Sequence, residues 1–252
     1  MKSIVDFPIL VFVFSFVALC LSAFVGVFFR QKLRPMDDVD REDFGVVQGA
    51  VLTLLSLLIG FTFSMAINRY EQRKNYEEAE ANAIGTEYVR ADMLPAANAA
   101  RVRELLLKYL DQRVLFYTTQ DRWQLRQISV NTAQLQSELW SAVETPAAAQ
   151  PTPVAALTAS GMNDVLNSQG YTQAAWWNRI PLESWLLLAA IATGCNLLFG
   201  YGAHRTSILF IVLPLAVSLS FFLIADIDSP RGGVIRVQPQ NLLSLSQGLH
   251  AH

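Results

Sequence analysis

The sequence is poor in charged side chains. Only 16% of its 252 residues are Asp, Glu, Lys or Arg, whereas soluble domains average about 25%. The charges nearly cancel, because 19 Lys and Arg stand against 21 Asp and Glu, which leaves a formal net charge of -2. Binding to nucleic acid depends on a basic surface that neutralises phosphates, so this balance argues against a nucleic-acid partner.

Cysteine and histidine are also scarce. The two cysteines, Cys20 and Cys195, each lie inside an apolar run, so neither a disulfide framework nor a cysteine-based zinc site is indicated. Two of the three histidines, His250 and His252, belong to the C-terminal tail. We predict no cofactor, and the sequence leaves open whether a metal ion binds.

Motifs for catalysis are missing as well. The chain contains no Gly-x-Ser-x-Gly, no His-Glu-x-x-His, no phosphate-binding glycine loop and no Gly-x-Gly-x-x-Gly. A catalytic role would have to depend on carboxylates that match none of these arrangements. We therefore expect a protein that is not an enzyme.

The sequence contains long apolar runs without charged residues. A helix needs roughly 20 apolar residues to cross the hydrocarbon core of a bilayer, and the segments 8–29, 44–67, 185–203 and 206–225 meet this requirement. The first segment has a bulky residue before Cys20, where a cleavage site needs a small one. We predict an uncleaved anchor there, with a removed signal peptide as the alternative. The sequence thus predicts an all-α membrane protein with four transmembrane helices.

These four spans pair into two hairpins, because residues 30–43 join the first two and only His204 and Arg205 separate the last two. An even number of spans puts both termini and the long middle segment on one side of the membrane. The predicted domains are a first transmembrane hairpin at 1–67, a helical cytoplasmic domain at 68–180, a second transmembrane hairpin at 181–225 and a C-terminal segment at 226–252.

Basic residues near the span ends give two opposing indications of orientation. More Lys and Arg flank the spans on the side of the termini, which favours cytoplasmic termini. The basic cluster that follows the first span, with Arg30, Lys32 and Arg34, argues for the opposite orientation, and the first span often dominates. Charge counting favours cytoplasmic termini without excluding the alternative.

The middle segment has the pattern of several helices. Residues 68–92 are rich in Ala, Glu and Arg and contain no proline, so the second span is predicted to continue as one long helix until Pro95 ends or bends it. From 101 to 118, apolar residues recur every three or four positions, which indicates an amphipathic helix. Further helices are predicted at 123–143 and 154–167, with a Pro- and Ala-rich linker at 145–153.

Polar side chains are densest just after the second span. Arg73, Glu77, Glu80 and Glu87 follow one another at spacings of four, three and seven, so one helical face carries a basic turn and then three carboxylates. A solvated helix held by ion pairs is one interpretation, since such patterns are common on exposed helices. The other is that interspersed small residues such as Gly85 allow close packing, which would bury these groups and require partners for them.

A second polar cluster, Asp-Ile-Asp-Ser-Pro-Arg-Gly-Gly at 226–233, follows the fourth span. It fits a structural turn in which Arg231 pairs with a carboxylate, or a site where Asp226 and Asp228 bind a hard cation with backbone carbonyls. We predict that both clusters form one polar layer, as an ion-pair network or a cation site. The predicted layer consists of Arg69, Arg73, Glu77, Glu80, Glu87, Arg90, Asp226, Asp228 and Arg231.

Three stretches of the chain resemble known families. At 58–70, a Gly60-Phe61 pair precedes an Arg69-Tyr70 pair, which resembles bestrophins, a family of anion channels. The stretches 80–95 and 226–237 resemble a bacterial family of unknown function called bestrophin-like, and this resemblance extends over nearly the whole chain. The resemblance implies a homo-oligomer, a pentamer, in the bacterial inner (plasma) membrane. It also implies that the second span lines a pore and that the termini and middle helices are cytoplasmic.

The resemblance further implies a pore neck at Phe61 and at the positions four and eight before it, Leu57 and Thr53. These positions lie one above another on a helix. Thr53 is polar where the family has an apolar residue, and the acidic calcium-binding run of animal bestrophins is absent.

The implied function is an ion channel that conducts anions through a neck gated by dewetting. The rival hypothesis is a non-conducting membrane scaffold or sensor that binds a partner or a cation through its polar helices. The predicted partners are membrane lipid, further copies of the chain and inorganic ions, of which the resemblance favours anions.

Overall fold

The computed structural model describes residues 6–32, 38–203 and 208–250. These residues form helices, and no β-strand occurs among them, which confirms the predicted all-α class. Short 3-10 helices occur at Ala91–Met93 and Ile208–Ile211. The α-helices in chain order are α1 Pro8–Lys32, α2 Asp38–Arg90, α3 Ala96–Thr118, α4 Arg122–Ala149, α5 Pro153–Trp177, α6 Leu182–Gly202, α7 Val212–Asp228 and α8 Gln240–His250.

The second helix, α2, is continuous over 53 residues, so the prediction that the second span extends beyond the apolar run is confirmed. Its end coincides with the predicted breaker, because the 3-10 turn Ala91–Met93 follows and Pro95 occupies the N-cap of α3. Proline has no backbone N–H to donate, which makes it compatible with a helix start and not with a helix interior.

Three helical stretches, Pro8–Lys32, Asp40–Met93 and Pro153–Gly202, contain an apolar segment long enough to cross a membrane. The fourth predicted span begins at residue 206, and the turn predicted at His204 and Arg205 precedes it. Residues 204–207 lie outside the described residues. Within the described part, α7 has 17 residues, slightly fewer than the roughly 20 that a span needs.

The chain divides into two compact units, which are described separately. Unit 1 comprises Met1–Tyr70 and Arg179–Arg236, and unit 2 comprises Glu71–Asn178 and Val237–His252. In unit 1, α1 and α6 approach so closely that a methyl group at Gly26 would overlap the backbone oxygen of Leu197. The core of unit 1 is formed by residues from all four of its helices, among them Leu19, Leu55, Leu188 and Phe221.

Unit 2 consists of α3, α4, α5 and α8 together with the last part of α2. The amphipathic pattern predicted on α3 is confirmed, because Leu105, Leu106 and Tyr109 are completely or almost completely buried. Leu139 of α4 and Met162 of α5 are also fully buried, so this core is formed by large side chains.

The linker predicted at 145–153 is wrong over most of its length. α4 continues through Pro146 to Ala149, because the three alanines that follow this proline favour helix strongly. The hydroxyl of Thr145 donates to the backbone oxygen of Ser141 at 2.9 Å. The actual connection is residues 150–152, where the side chain of Thr152 caps α5 by accepting from the N–H of Ala155.

The helix predicted at 154–167 ends too early, because α5 runs to Trp177. The part of α5 after residue 167 contains polar residues and Gly170, which weaken the sequence signal for a helix. They are stabilised by packing instead. Trp176 is buried against Phe116 and Tyr117, with ring centroids 4.9 Å and 5.4 Å away.

Candidate functional site

The predicted neck residues lie on an exposed stripe of α2. Leu57 is 52% exposed and Phe61 is 62% exposed, and Thr53 is also exposed. The hydroxyl of Thr53 donates to the backbone oxygen of Gly49 at 2.9 Å. The polar group of Thr53 is therefore bonded within its own helix, which reduces the difference between this residue and the apolar residue expected at its position.

Glu80 is a predicted carboxylate whose charged partner is buried with it. It is fully buried and forms an ion pair with Arg113 of α3, which is also buried. The hydroxyl of Thr172 donates to the Glu80 carboxylate at 3.2 Å, and the Arg113 guanidinium stacks 4.5 Å from the Phe116 ring centroid. A buried charge needs this kind of pairing, because desolvation of an unpaired charge is costly.

This pair has consequences for ionisation nearby. Burial lowers the pKa of Arg113, but the Glu80 carboxylate raises it, and the net direction is upward. Burial and the negative charge of Glu80 together raise the pKa of Tyr117. Arg113 was not among the predicted site residues. A signal for it exists, since it stands four residues after the buried Tyr109 on the apolar face of α3.

Glu77 anchors the C-terminal helix. Its buried carboxylate accepts from the side-chain amide of Asn241 at 2.6 Å and from the backbone N–H of Leu242 at 3.0 Å. Both donors belong to the first turn of α8, where N–H groups have no partner within the helix and favour a negative charge. Arg73, one turn earlier on α2, donates from Nε to the backbone oxygen of Ala175 at 3.4 Å.

Glu87 differs from these carboxylates. It is fully buried, and neither of its oxygens has a hydrogen-bond partner in the part of the chain that the structure describes. Arg90 lies close to it, since both side chains approach the backbone of Gly161 on α5. Burial raises the pKa of Glu87 to about 8, with Arg90 opposing the rise and Asp164 adding to it.

In unit 1, Asp228 is the centre of the polar contacts. Its buried carboxylate accepts from Nε of Arg179 at 3.0 Å and from the backbone N–H of Ile180 at 3.2 Å. Arg69 lies 3.6 Å from the same carboxylate, at ion-pair distance. Arg179 also binds Asp6 at 2.5 Å. Arg179 was not predicted, although it is a single arginine placed directly before the third apolar run.

Asp226 stabilises the turn that follows α7. Its two carboxylate oxygens accept from the backbone N–H groups of Val234 and Ile235 at 2.7 Å and 2.9 Å. Gly233 is required in this turn, because a methyl group there would overlap the backbone oxygen of Asp226. Among the described residues, the donors to Asp226 are thus backbone amides. Arg231 lies half-buried in the same turn.

The predicted polar residues therefore form contacts within both units. In unit 1, the structure brings Arg69 and Asp228 together. In unit 2, Glu77 contacts α8, Glu80 contacts α3 and α5, and Arg73 contacts α5. Glu87 lies beside Arg90. The single layer across all of these residues stays a prediction. Within the described ranges, no group of three or more His, Cys, Asp or Glu side chains could hold a metal ion.

Comparison with known proteins relates most of this chain to one family. The family model for the Bestrophin-like domain matches residues 11–242. A crystal structure of a bacterial bestrophin homologue from Klebsiella pneumoniae, obtained by Zn-SAD phasing, is 14% identical with a TM-score of 0.66, and the match covers 95% of this chain and 97% of that one. A substituted form of the Klebsiella pneumoniae homologue is 13% identical with a TM-score of 0.69, and covers 95% and 96%. At such identities the likeness shows a shared fold. Among curated proteins, none matches this sequence.

Proposed function

Because this chain belongs to the bestrophin-like family, we propose that it is the subunit of an ion channel of the bestrophin type. The subunits assemble as a homo-oligomer, a pentamer, around α2. The channel lies in the bacterial inner (plasma) membrane in contact with lipid, and it conducts anions. No catalytic step is part of this function.

In the proposed topology, the chain crosses the membrane four times, with spans in residues 1–67 and 181–225 and cytoplasmic termini. The helices of 68–180 and the segment 226–252 are cytoplasmic. The 3-10 turn Ile208–Ile211 lengthens the 17 residues of α7, which brings the fourth span close to the roughly 20 residues required.

The exposed apolar stripe of α2 is the observation that carries this proposal. In the apolar segment of α2, 17% of the residues are buried within the chain, against 28% in α1. Thr53, Leu57 and Phe61 share the exposed stripe, so a ring of α2 helices would place Phe61 and Leu57 around a common axis. Apolar rings of this kind stop ion flow by excluding water from a narrow passage.

The nine predicted polar residues, in this proposal, stabilise the helices where they leave the membrane. Glu77, Glu80, Asp226 and Asp228 already accept hydrogen bonds from protein donors. Carboxylates that are satisfied in this way offer few free oxygens to a cation, which needs 6–8 oxygen ligands if it is Ca²⁺. An ion-pair and hydrogen-bond network is thus favoured over a cation site.

Ion flux through reconstituted vesicles tests the channel proposal. Phe61→Ala replaces a large ring by a methyl group and should raise flux severalfold by widening the neck. Phe14→Ala is the matched control, because Phe14 lies on α1 and is 59% exposed. Equal flux in the two variants, or a monomer in detergent, would overturn the pore assignment. Replacing chloride by a large organic anion should abolish the current, whereas replacing sodium should not.

A non-conducting scaffold or sensor is the second candidate. The feature that favours it is a groove of about 790 Å³ between α2 and α8 in unit 2. Polar side chains line this groove, among them Asn82, Arg90, Asn241 and Ser244, and such groups could bind a partner. An intact oligomer that carries no ion flux in any variant would favour this candidate over the channel.

A further inference from the structure

Glu87 is the buried carboxylate of unit 2 whose hydrogen-bonding needs are not met. Glu77 and Glu80 are equally buried on the same helix, and both accept hydrogen bonds. Glu87 is 0% exposed, and neither oxygen has a partner among the described residues. Burial without a donor strongly disfavours the ionised form of a carboxyl group.

The position of this carboxyl group is set by the contact between α2 and α5. Gly161 of α5 has no side chain, and a methyl group there would overlap Oε2 of Glu87 and lie against Nη1 of Arg90. The Glu87 carboxyl group is therefore held against the backbone of α5. A charge at this point would lie between two packed helices.

Two charged groups act on Glu87, one from each of these helices. Arg90 on α2 favours the ionised form, and Asp164 on α5 opposes it. Burial has a larger effect than Arg90, and Arg90 makes no hydrogen bond to either Glu87 oxygen. The net result is a pKa of about 8 for Glu87.

We propose that Glu87 is a proton-binding site that makes the contact between α2 and α5 sensitive to pH. At neutral pH the carboxyl group holds a proton and packs as a neutral group against Gly161. In mildly alkaline solution it releases this proton to solvent, and the carboxylate then moves away from the α5 backbone towards Arg90 or water. As a means of regulating conductance, this inference depends on the proposed channel function, whereas proton binding itself does not.

Infrared spectroscopy of the full-length protein in detergent tests the site directly. A protonated carboxyl group has a carbonyl stretch that a carboxylate lacks. We expect such a band at neutral pH, its loss on the alkaline side, and its absence in Glu87→Gln. Glu78→Gln is the matched control, because Glu78 lies on the same helix and is exposed. No band at neutral pH, or a band that persists in Glu87→Gln, would overturn the proposal.

Two further variants test whether the neighbouring charges of Arg90 and Asp164 act on the Glu87 carboxyl group. Arg90→Gln removes the charge that favours ionisation, so the pH midpoint of the band should rise. Asp164→Asn removes a negative charge, so the midpoint should fall. Asp164 is exposed, so this variant should fold even if Arg90→Gln does not. A midpoint unchanged by Asp164→Asn would show that Asp164 does not act on Glu87.

Flux measurements separate this inference from the channel proposal. Wild-type vesicles should change their flux between neutral and alkaline pH, whereas Glu87→Gln vesicles should not. A titrating band without ion flux in any vesicle would overturn the channel and leave the proton site intact. A pH-dependent flux that Glu87→Gln retains would overturn the regulatory role.

Discussion

The helices of unit 1 and unit 2 meet in different ways. In unit 1, glycines of α1 and α6 bring backbones into contact, at Gly26 against Leu197 and at Gly200 against Ala23. In unit 2, large side chains such as Leu106, Leu139 and Met162 fill the space between helices. In water, burial of apolar area drives helices together. In lipid, burial of apolar area does not drive helices together, and they associate instead through close packing at small residues.

The two units also differ in where their buried charged residues lie along the helices. The buried charges of unit 1 are at the ends of its apolar helices, as with Asp228 at the last position of α7. Unit 2 buries the Glu80–Arg113 pair inside helices, with Glu80 ten residues before the end of α2 and Arg113 five residues before the end of α3. A membrane location for the apolar helices of unit 1 fits this difference, because charges inside a span are costly in a bilayer.

The largest effect is expected from breaking the buried pair of unit 2. Arg113→Met leaves Glu80 without its charged partner and should lower the free energy of unfolding by about 3–5 kcal/mol. The double variant Arg113→Met/Glu80→Met removes both charges and should recover most of this loss. Unfolding experiments in detergent measure the free energy of unfolding of the single and the double variant. If the single and double variants were equally unstable, the charge pair would not be the cause.

A somewhat smaller effect is expected at the backbone contact of unit 1. Gly200→Ala places a methyl group on the backbone oxygen of Ala23 and should cost about 1–3 kcal/mol by overpacking. Gly194→Ala is the matched control on the same helix, since nothing lies within 4 Å of that position. Thermal unfolding of the two variants should differ, and equal midpoints would contradict the close contact of α1 with α6.

Substitutions in the turn after α7 should lower stability by a smaller amount. Asp226→Ala leaves the N–H groups of Val234 and Ile235 without their acceptor, at a cost of about 1–2 kcal/mol, because water can reach part of this exposed turn. Asp226→Asn keeps an acceptor oxygen and should lose less. Thermal stability and oligomeric state would report the change, and an Asp226→Ala protein as stable as the wild type would show that the turn does not need its carboxylate.

Glu87→Gln should have the smallest effect in acid, where the carboxyl group is uncharged in both the folded and the unfolded chain. The pKa of Glu87 is about 8 in the folded chain against an ordinary 4.5, so between these values the folded state holds a proton that the unfolded state has released. Wild-type stability should therefore fall as pH rises through this window, and level off above it. Unfolding at several pH values should show a smaller slope for Glu87→Gln, and an identical slope would contradict the raised pKa.

Sequence patterns predicted the helices because apolar runs and the three-to-four spacing are local signals. The long continuous α2 and the amphipathic α3 followed from composition and periodicity alone. Where tertiary contacts decided the outcome, the prediction failed. α5 extends to Trp177 since Trp176 packs against Phe116 and Tyr117, and those rings are distant in sequence.

The polar residues were identified more easily than their partners. Glu80 stood out by its spacing, but its partner Arg113 is 33 residues away and looked like part of an ordinary helix face. Asp228 and Arg179 are 49 residues apart. Such pairs depend on how helices cross, which a single sequence does not record. Glu87 could not be distinguished from Glu80 in the sequence, because the difference between them is the presence or absence of a facing donor.

The anchoring of α8 by Glu77 has a consequence for truncated chains. A truncation that removes α8 deletes a helix of 11 residues, and the loss of so short an element is ordinarily mild. Here it would also take away Asn241 and Leu242, the two donors to the Glu77 carboxylate. Removal of α8 would then act like a substitution in the interior of α2, because it leaves a buried carboxylate of that helix without its donors.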